Sequence, residues 1–281
     1  MSLNLIYITN QPSVALIAEQ NGVDRVMVDL EVLGKEERQK NLNSVKSHHN
    51  IADIKAVAEV LKKAQLLVRI NPWHKHSLEE IEQAISSGAQ SIMLPMWKTE
   101  AEADAFLKAV NQRTRTVLLL ETKEAVECMD AVLDHPLLDS IHIGLNDLHL
   151  SYGRTFMFEL LADGTVEKLC EKCRKKGIVY GFGGIAKLGK GLVPAECVIM
   201  EHYRLGSAGA ILSRTFCNAE EIGDLDTVKI IFQEQMALVR EFEKTMAYKT
   251  EADFTDNQAR VREYVRDAVI LIKERRAALR I

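Results

Sequence analysis

Polar residues at the ends of short apolar runs carry most of the chemistry this sequence offers. RVMVDLE (25–31) brings Asp29 and Glu31, LLVRI (66–70) brings Arg69 with Asn71 just beyond, and SIMLP (91–95) ends in Pro95. TVLLLE (116–121) ends in Glu121, SIHIG (140–144) precedes Asn146 and Asp147, IVYGF (178–182) precedes Gly183 and Gly184, and AGAILS (208–213) precedes Arg214. A charge at the end of a run such as VLLLE is costly unless something pairs with it. Taken singly, each such residue is accounted for by a structural ion pair or an acidic helix start. Gathered on one rim, the set reads as a site. His74-Lys75-His76 after the third run could add a base or a substrate contact, or be two solvated histidines; His48-His49 reads the same two ways. His142 reads as a packed residue within a strand, and His149 as a weak site candidate. The stretch GFGGIAKLGKG (181–191) suits a carboxylate or phosphate through backbone N–H groups, or a mobile lid. Its spacing is not that of a P-loop.

The runs themselves define the framework. Eight of them, beginning with LNLIYIT (3–9), are short and rich in Val, Ile and Leu, as strands buried on both faces are. Helical stretches such as SLEEIEQAISSG (77–88) and TEAEADAFLKAV (99–110) alternate with them, each opening on Ser or Thr. This alternation predicts an α/β fold, a (β/α)8 TIM barrel with extra C-terminal helices, whose strand ends would form the rim. The barrel core is expected over residues 1–224 and the C-terminal helices over 225–281. Val228, Ile231, Phe232, Leu238, Val239 and Phe242 mark one of those helices. Val261, Tyr264, Val265, Ala268 and Ile272 mark the other. A barrel needs one helix there, so the second stripe is expected to be covered by another subunit.

Composition removes several classes. The chain has 281 residues, 36 basic and 40 acidic side chains and a net charge of -4, which argues against a nucleic-acid backbone binder. No run approaches the ~18 apolar residues of a membrane span, and no basic segment precedes the first apolar run as in a signal peptide. Five cysteines fit reduced thiols in the cytoplasm, and Cys170-x-x-Cys173 lacks the second pair that a structural zinc needs. The basic run at 172–176 and the terminal KERRAALR read as solvated helix faces.

VDRVMVDLE, LLVRINP, GAQSIMLPM, LLLETKEAVECMDAVL and GLNDLHLSYG, spread over residues 23–153, resemble the successive strand-end motifs of the HpcH/HpaI aldolase and citrate lyase β-subunit family. The resemblance implies a phosphoenolpyruvate/pyruvate-type barrel that binds Mg²⁺ or Mn²⁺ and makes or breaks a carbon–carbon bond next to a 2-oxo acid or acyl group. It implies Glu121 and Asp147 as metal ligands and Arg69 as a group that binds the substrate carboxylate or enolate oxygen. The chemistry agrees: two carboxylates, waters and substrate oxygens complete an octahedral shell for a hard cation. A divalent cation bridging an enolate stabilises its charge, and an arginine fork adds to it. Asp29 and Glu31 would support the arginine or the metal's waters, completing a catalytic group of Arg69, Glu31 and Asp29. Asn71, Pro95, Asn146, Gly183 and Gly184 would line the substrate.

The departures from the family are specific. The pyruvate aldolases usually carry a base histidine where this chain has Val32, and glutamine where it has Leu119; citrate lyase types often have aspartate at Val32. The loop here reads LGKEERQKN (33–41). The expected activity is a metal-dependent lyase acting on a small 2-oxo or hydroxy acid. The alternatives are a citrate-lyase-like acyl-coenzyme A lyase and a barrel that binds a carboxylate without turnover. The resemblance also implies a homo-oligomer, a trimer or hexamer with exchanged C-terminal helices.

Overall fold

The computed structural model describes residues 2–34 and 49–278. His48 and positions 35–41 of the strand-two loop lie outside the described residues. Nine parallel strands form one nearly closed sheet. They are β1 (Asn4–Ile8), β2 (Arg25–Asp29), β3 (Gln65–Arg69), β4 (Ser91–Leu94), β5 (Arg115–Leu120), β6 (Ser140–Ile143), β7 (Val179–Phe182), β8 (Gly184–Ile185) and β9 (Gly209–Leu212). Strands β1 to β7 are laid side by side in chain order, and β9 pairs with β1 on one edge and β8 on the other. The eight expected strands are present. The ninth arises because the seventh is interrupted at Gly183, whose φ of +50° lies where glycine is favoured. Gly183 N donates to Ile143 O at 2.9 Å, while its own carbonyl accepts from Ile211 N at 3.2 Å. One glycine thus passes the chain from one neighbour to the other and joins the seam.

Strand alternation divides the core in two. Ile6, Met27, Leu67, Met93, Val117 and Leu119 point inward and plug the barrel. Leu5, Val26, Val68, Ile92, Leu118 and their neighbours point outward to the helices. Those on the way round are α1 (Pro12–Gln20), α2 (Ile51–Val60), α3 (Ser77–Ser86), α4 (Glu100–Val110) and α5 (Lys123–Leu133). Then come α6 (Leu145–Ser151), α7 (Glu159–Ala162), α8 (Thr165–Lys175), α9 (Ala195–Leu205) and α10 (Ala219–Ile222). Thr99 caps α4 in a full capping box with Glu102. Ser77 does not cap α3; it lies inside the first turn and accepts from His74 N at 2.8 Å.

The last two helices are α11 (Leu225–Thr245) and α12 (Glu251–Ala278). Val228, Phe232, Met236 and Val239 bury α11 in the main core beside α1. Arg240 donates to Leu3 O at 2.8 Å and pairs with Asp24 at 2.8 Å, while Glu243 accepts from Leu3 N at 2.7 Å, so α11 clamps the start of β1. Helix α12 departs from expectation. A short turn at Met246–Tyr248 sends it back along its own chain, where Val261, Val265 and Ala268 are buried beside α9 and α7. Asn257 Nδ2 donates there to Cys197 O and Glu201 Oε1 at 3.0 and 2.9 Å. The stripe expected to face another subunit is therefore covered within the chain; Tyr264 and Ile272 stay half-buried and Ile270 is exposed. No helix among the described residues is long and apolar enough to cross a membrane.

Candidate active site

The C-terminal ends of β2, β3 and β5 bring Asp29, Glu31, Arg69 and Glu121 together. Arg69 grips Asp29 with two parallel bonds, Nε to Oδ1 and Nη2 to Oδ2, both 2.8 Å, and Nη2 lies 3.5 Å from Glu31 Oε2. Planar forks match carboxylates in this way, which fixes the guanidinium plane. Nη1 is left with no protein partner among the described residues and is the nitrogen that a ligand can use. Asp29 and Glu31 are both buried, and the Arg69 pKa is held above its ordinary value by the two acids despite burial. Asp29 Oδ1 also accepts from Glu31 N at 3.2 Å, which turns the chain so that both acids face the same arginine.

Glu121 lies across from this pair and is 3 % exposed. Met96 N donates to its Oε1 at 3.0 Å. Met96 has φ +54°, an uncommon conformation for a non-glycine residue, and the buried Pro95 before it leads into that turn. Thr122 caps α5 and donates to Trp97 O at 2.7 Å, so the β4 and β5 loops are tied together behind the carboxylate. Gly144 matters by what it lacks, since a Cβ there would lie 2.8 Å from Glu121 Oε2. Burial pushes the Glu121 pKa well up, Asp147 and Glu31 push it further, and Arg69 opposes them. Asp147 lies in the first turn of α6, close enough to act on Glu121. Gly183 packs against Leu145 of the same turn, where a Cβ would meet Leu145 Cδ1 at 2.8 Å.

This donor set suits a hard divalent cation. A buried carboxylate whose pKa is raised by burial and by neighbouring acids, as that of Glu121 is, is what a divalent charge relieves, and oxygen donors are what Mg²⁺ and Mn²⁺ prefer. Among the described residues no three His, Cys, Asp or Glu side chains converge closely enough to form a complete protein cage. The fit is to an open shell, in which Glu121 and Asp147 would be the donors and water and ligand oxygens would take the remaining positions.

Other expected site residues are placed differently. Asn71 is a brace: its Oδ1 accepts from Val32 N and Leu33 N at 2.9 and 3.0 Å, and its Nδ2 donates to Glu80 Oε1 at 2.8 Å. Gly183 and Gly184 belong to the barrel seam. Asn146 and Arg214 are exposed. Gly189 N in the glycine-rich loop donates to Glu196 Oε1 at 2.8 Å, an internal use of an amide. His149 is buried with Nδ1 3.2 Å from Leu145 O in its own helix. His142 is inside the barrel, its Nε2 3.2 Å from Gly183 O, and burial lowers its pKa to about 4. His74 is spent on Glu80 and on His76 N. His49 is the histidine at the site: its Nδ1 accepts from Asp29 N at 2.9 Å, which fixes its proton on Nε2. Val32, where the family base would stand, is 49 % exposed.

Fold and rim define an α/β barrel with an acidic, arginine-containing mouth. The HpcH/HpaI aldolase/citrate lyase family model matches residues 5–182. The chain belongs to that family, whose members are lyases acting on carbon–carbon bonds. Among solved structures it is similar to a family protein from Burkholderia cenocepacia J2315 at 12 % identity and TM-score 0.60, over 81 % of this chain and 95 % of that one. It is similar to the HpcH/HpaI aldolase of Desulfitobacterium hafniense DCB-2 at 16 % and 0.58, over 81 % and 93 %. Citrate synthase SbnG gives 16 % and 0.60, again over 81 % and 93 %. No protein of curated function matches the sequence.

Proposed function

We propose that the protein is a divalent-metal-dependent lyase that cleaves a small 2-oxo or hydroxy acid to pyruvate or a related enolate and a carbonyl product. The observation that carries this reading is the placement of Arg69 Nη1, uncommitted among the described residues, near the buried Glu121, whose proton affinity is raised by burial and by Asp147 and Glu31. Glu121 and Asp147 would hold Mg²⁺ or Mn²⁺, which supplies charge for the two oxygens of an enolate.

In the cleavage direction the substrate hydroxyl loses its proton, the carbon–carbon bond breaks, and its electron pair ends on the 2-oxo group as an enolate. Arg69 binds that oxygen through Nη1 while Asp29 holds the guanidinium in plane, so little reorganisation is needed as charge develops. Glu31, near both Arg69 and Glu121, takes the hydroxyl proton through a bridging water. Pro95 and Asn146 border the substrate space, and Asn71 supports the strand-two loop above it. The five cysteines are free and four of them buried, which supports a cytoplasmic setting. A homo-oligomer of the trimeric or hexameric kind rests on the family resemblance alone.

A carboxylate-binding barrel without turnover is favoured by one observation: Val32 carries no base, and His74, His142 and His149 are committed elsewhere. Exchange of the pyruvate methyl protons in deuterium oxide with Mg²⁺ or Mn²⁺ separates the two readings. Exchange by the wild type that is lost in Glu121→Gln supports the lyase. Tight pyruvate binding without exchange overturns it in favour of the binder. The acyl-coenzyme A alternative is tested by the same exchange on an acetyl thioester.

A further inference from the structure

The end of the barrel opposite the acidic rim carries charge of the other sign. Arg25, Ser91 and Arg115 open β2, β4 and β5, and they share strand parity with the inward residues Met27, Met93 and Val117. They therefore project into the barrel below its apolar plug. Ser91 and Arg115 are register partners. Arg25 Nε and Ser91 Oγ are buried with no hydrogen-bond partner among the described residues, and so is Asn4 Oδ1 at the start of β1. Arg25 pairs with no carboxylate among the described residues; its neighbour Asp24 is turned away to Leu5 N and Arg240. Burial and the nearby Arg115 lower the Arg25 pKa, and Asp24 opposes them. Two guanidinium groups thus share one end of the barrel, with Asp24 and Asp139 nearby but no ion pair to either arginine among the described residues.

Of the three residues, Arg115 is reached from solvent. Arg115 is exposed and lines a cleft of about 520 Å³ with Gln90, Gln112, Arg113 and Asp139. Arg113 is spent on Glu82 at 2.6 Å, and Asp139 Oδ2 accepts from Thr116 N and Oγ1 at 2.8 and 2.9 Å. Arg115 is the basic side chain of that cleft without an ion pair among the described residues. Ordered water would satisfy the orphaned groups but would leave both guanidinium forks without a paired anionic partner. A small oxyanion does both, because guanidinium forks bind it with paired bonds and a serine hydroxyl adds a donor. A protonated phosphate oxygen would also donate to Asn4 Oδ1.

We propose that the N-terminal end of the barrel binds a small oxyanion, a phosphate or carboxylate group, through Arg25, Arg115 and the Ser91 hydroxyl. The site is separate from the rim and stands whether or not the lyase reading holds. Calorimetry of the full chain with sodium phosphate, against sodium chloride at equal ionic strength, tests it. Phosphate is expected to bind the wild type and Arg69→Lys alike, and at least tenfold more weakly to Arg115→Gln and Arg25→Gln. Arg115 is exposed, so its variant keeps the test decisive if Arg25→Gln fails to fold. Acetate used in the same way identifies the source: binding with the same dependence on the two arginines assigns the carboxylate, and phosphate binding alone assigns the phosphate. Failure of both anions to bind overturns the proposal and leaves water in the floor. Binding that survives both floor substitutions, or is lost only in Arg69→Lys, overturns it as well.

Discussion

Replacing Arg69 by Met would remove the bidentate partner of Asp29, whose side chain is 1 % exposed and lies beside Glu31. Removing one partner of a buried ion pair costs about 3–5 kcal/mol, most of it the penalty for the charge left behind. Arg69 keeps 14 % of its side chain exposed, so water can reach part of the vacated space and the lower figure is expected. At ~2–4 °C per kcal/mol for a large domain, that is a fall of roughly 6–12 °C in melting temperature. Calorimetric melts at pH 7 without divalent metal would measure it. The double variant Arg69→Met/Asp29→Leu removes both members of the pair and should recover part of the loss, a coupling that only interacting groups show. A single variant that melts within about 2 °C of wild type, or a double variant whose loss is the sum of the singles, would refute the reasoning that Arg69 is fixed by Asp29. In the same frame Arg69→Lys should lower kcat roughly tenfold or more. One ammonium cannot serve both Asp29 oxygens and a substrate oxygen, and wild-type turnover would leave Arg69 a structural role only.

Glu121→Gln should stabilise the metal-free protein at pH 7. The Glu121 pKa is raised on folding, so the native state loses stability as pH climbs above the ordinary carboxylate value of about 4.3; urea titrations from pH 4 to 7 should show the variant's advantage growing with pH, and a constant advantage would exclude titration as its cause. His142 moves the other way: its pKa falls from 6.5 to about 4, so the unfolded chain protonates first and stability drops as pH falls through that interval. The loss is roughly 3 kcal/mol in all, and His142→Gln should flatten it in the same titrations. Gly144→Ala should weaken Mn²⁺ binding at least tenfold by calorimetry while circular dichroism stays native, because the new Cβ would fall 2.8 Å from Glu121 Oε2; unchanged affinity would separate Glu121 from the metal.

The strands were legible because parallel strands buried on both faces leave apolar runs, and observed ends fall within two residues of those expected: LNLIYIT spans β1, Asn4–Ile8, and RVMVDLE spans β2, Arg25–Asp29. The break at Gly183 was not legible, since a single glycine in GFGG gives no sign of a strand changing neighbours. The convergence of Asp29, Glu31, Arg69 and Glu121 followed from their common place at strand ends. Their pairing did not, because it depends on rotamers and on Met96, whose left-handed backbone has no glycine to announce it. Asn71 looked like a substrate contact for its position alone; its amide proved to brace the strand-two loop. The path of α12 was misjudged because a periodic stripe reveals that a face is covered without revealing by what.

The clamp of α11 on the start of β1 bears on how the chain can be made. Strand β1 finds β2 soon after leaving the ribosome, but β9 and then Arg240 and Glu243 follow about 200 residues later. At about 5–20 residues per second this interval is roughly 10–40 s. Throughout it one edge of β1 has no strand to pair with, and open edges recruit other chains. Ring closure is therefore a late event in synthesis. Translational pauses before residue 209 would lengthen the exposure, and nascent chains halted there should be the ones that chaperones capture.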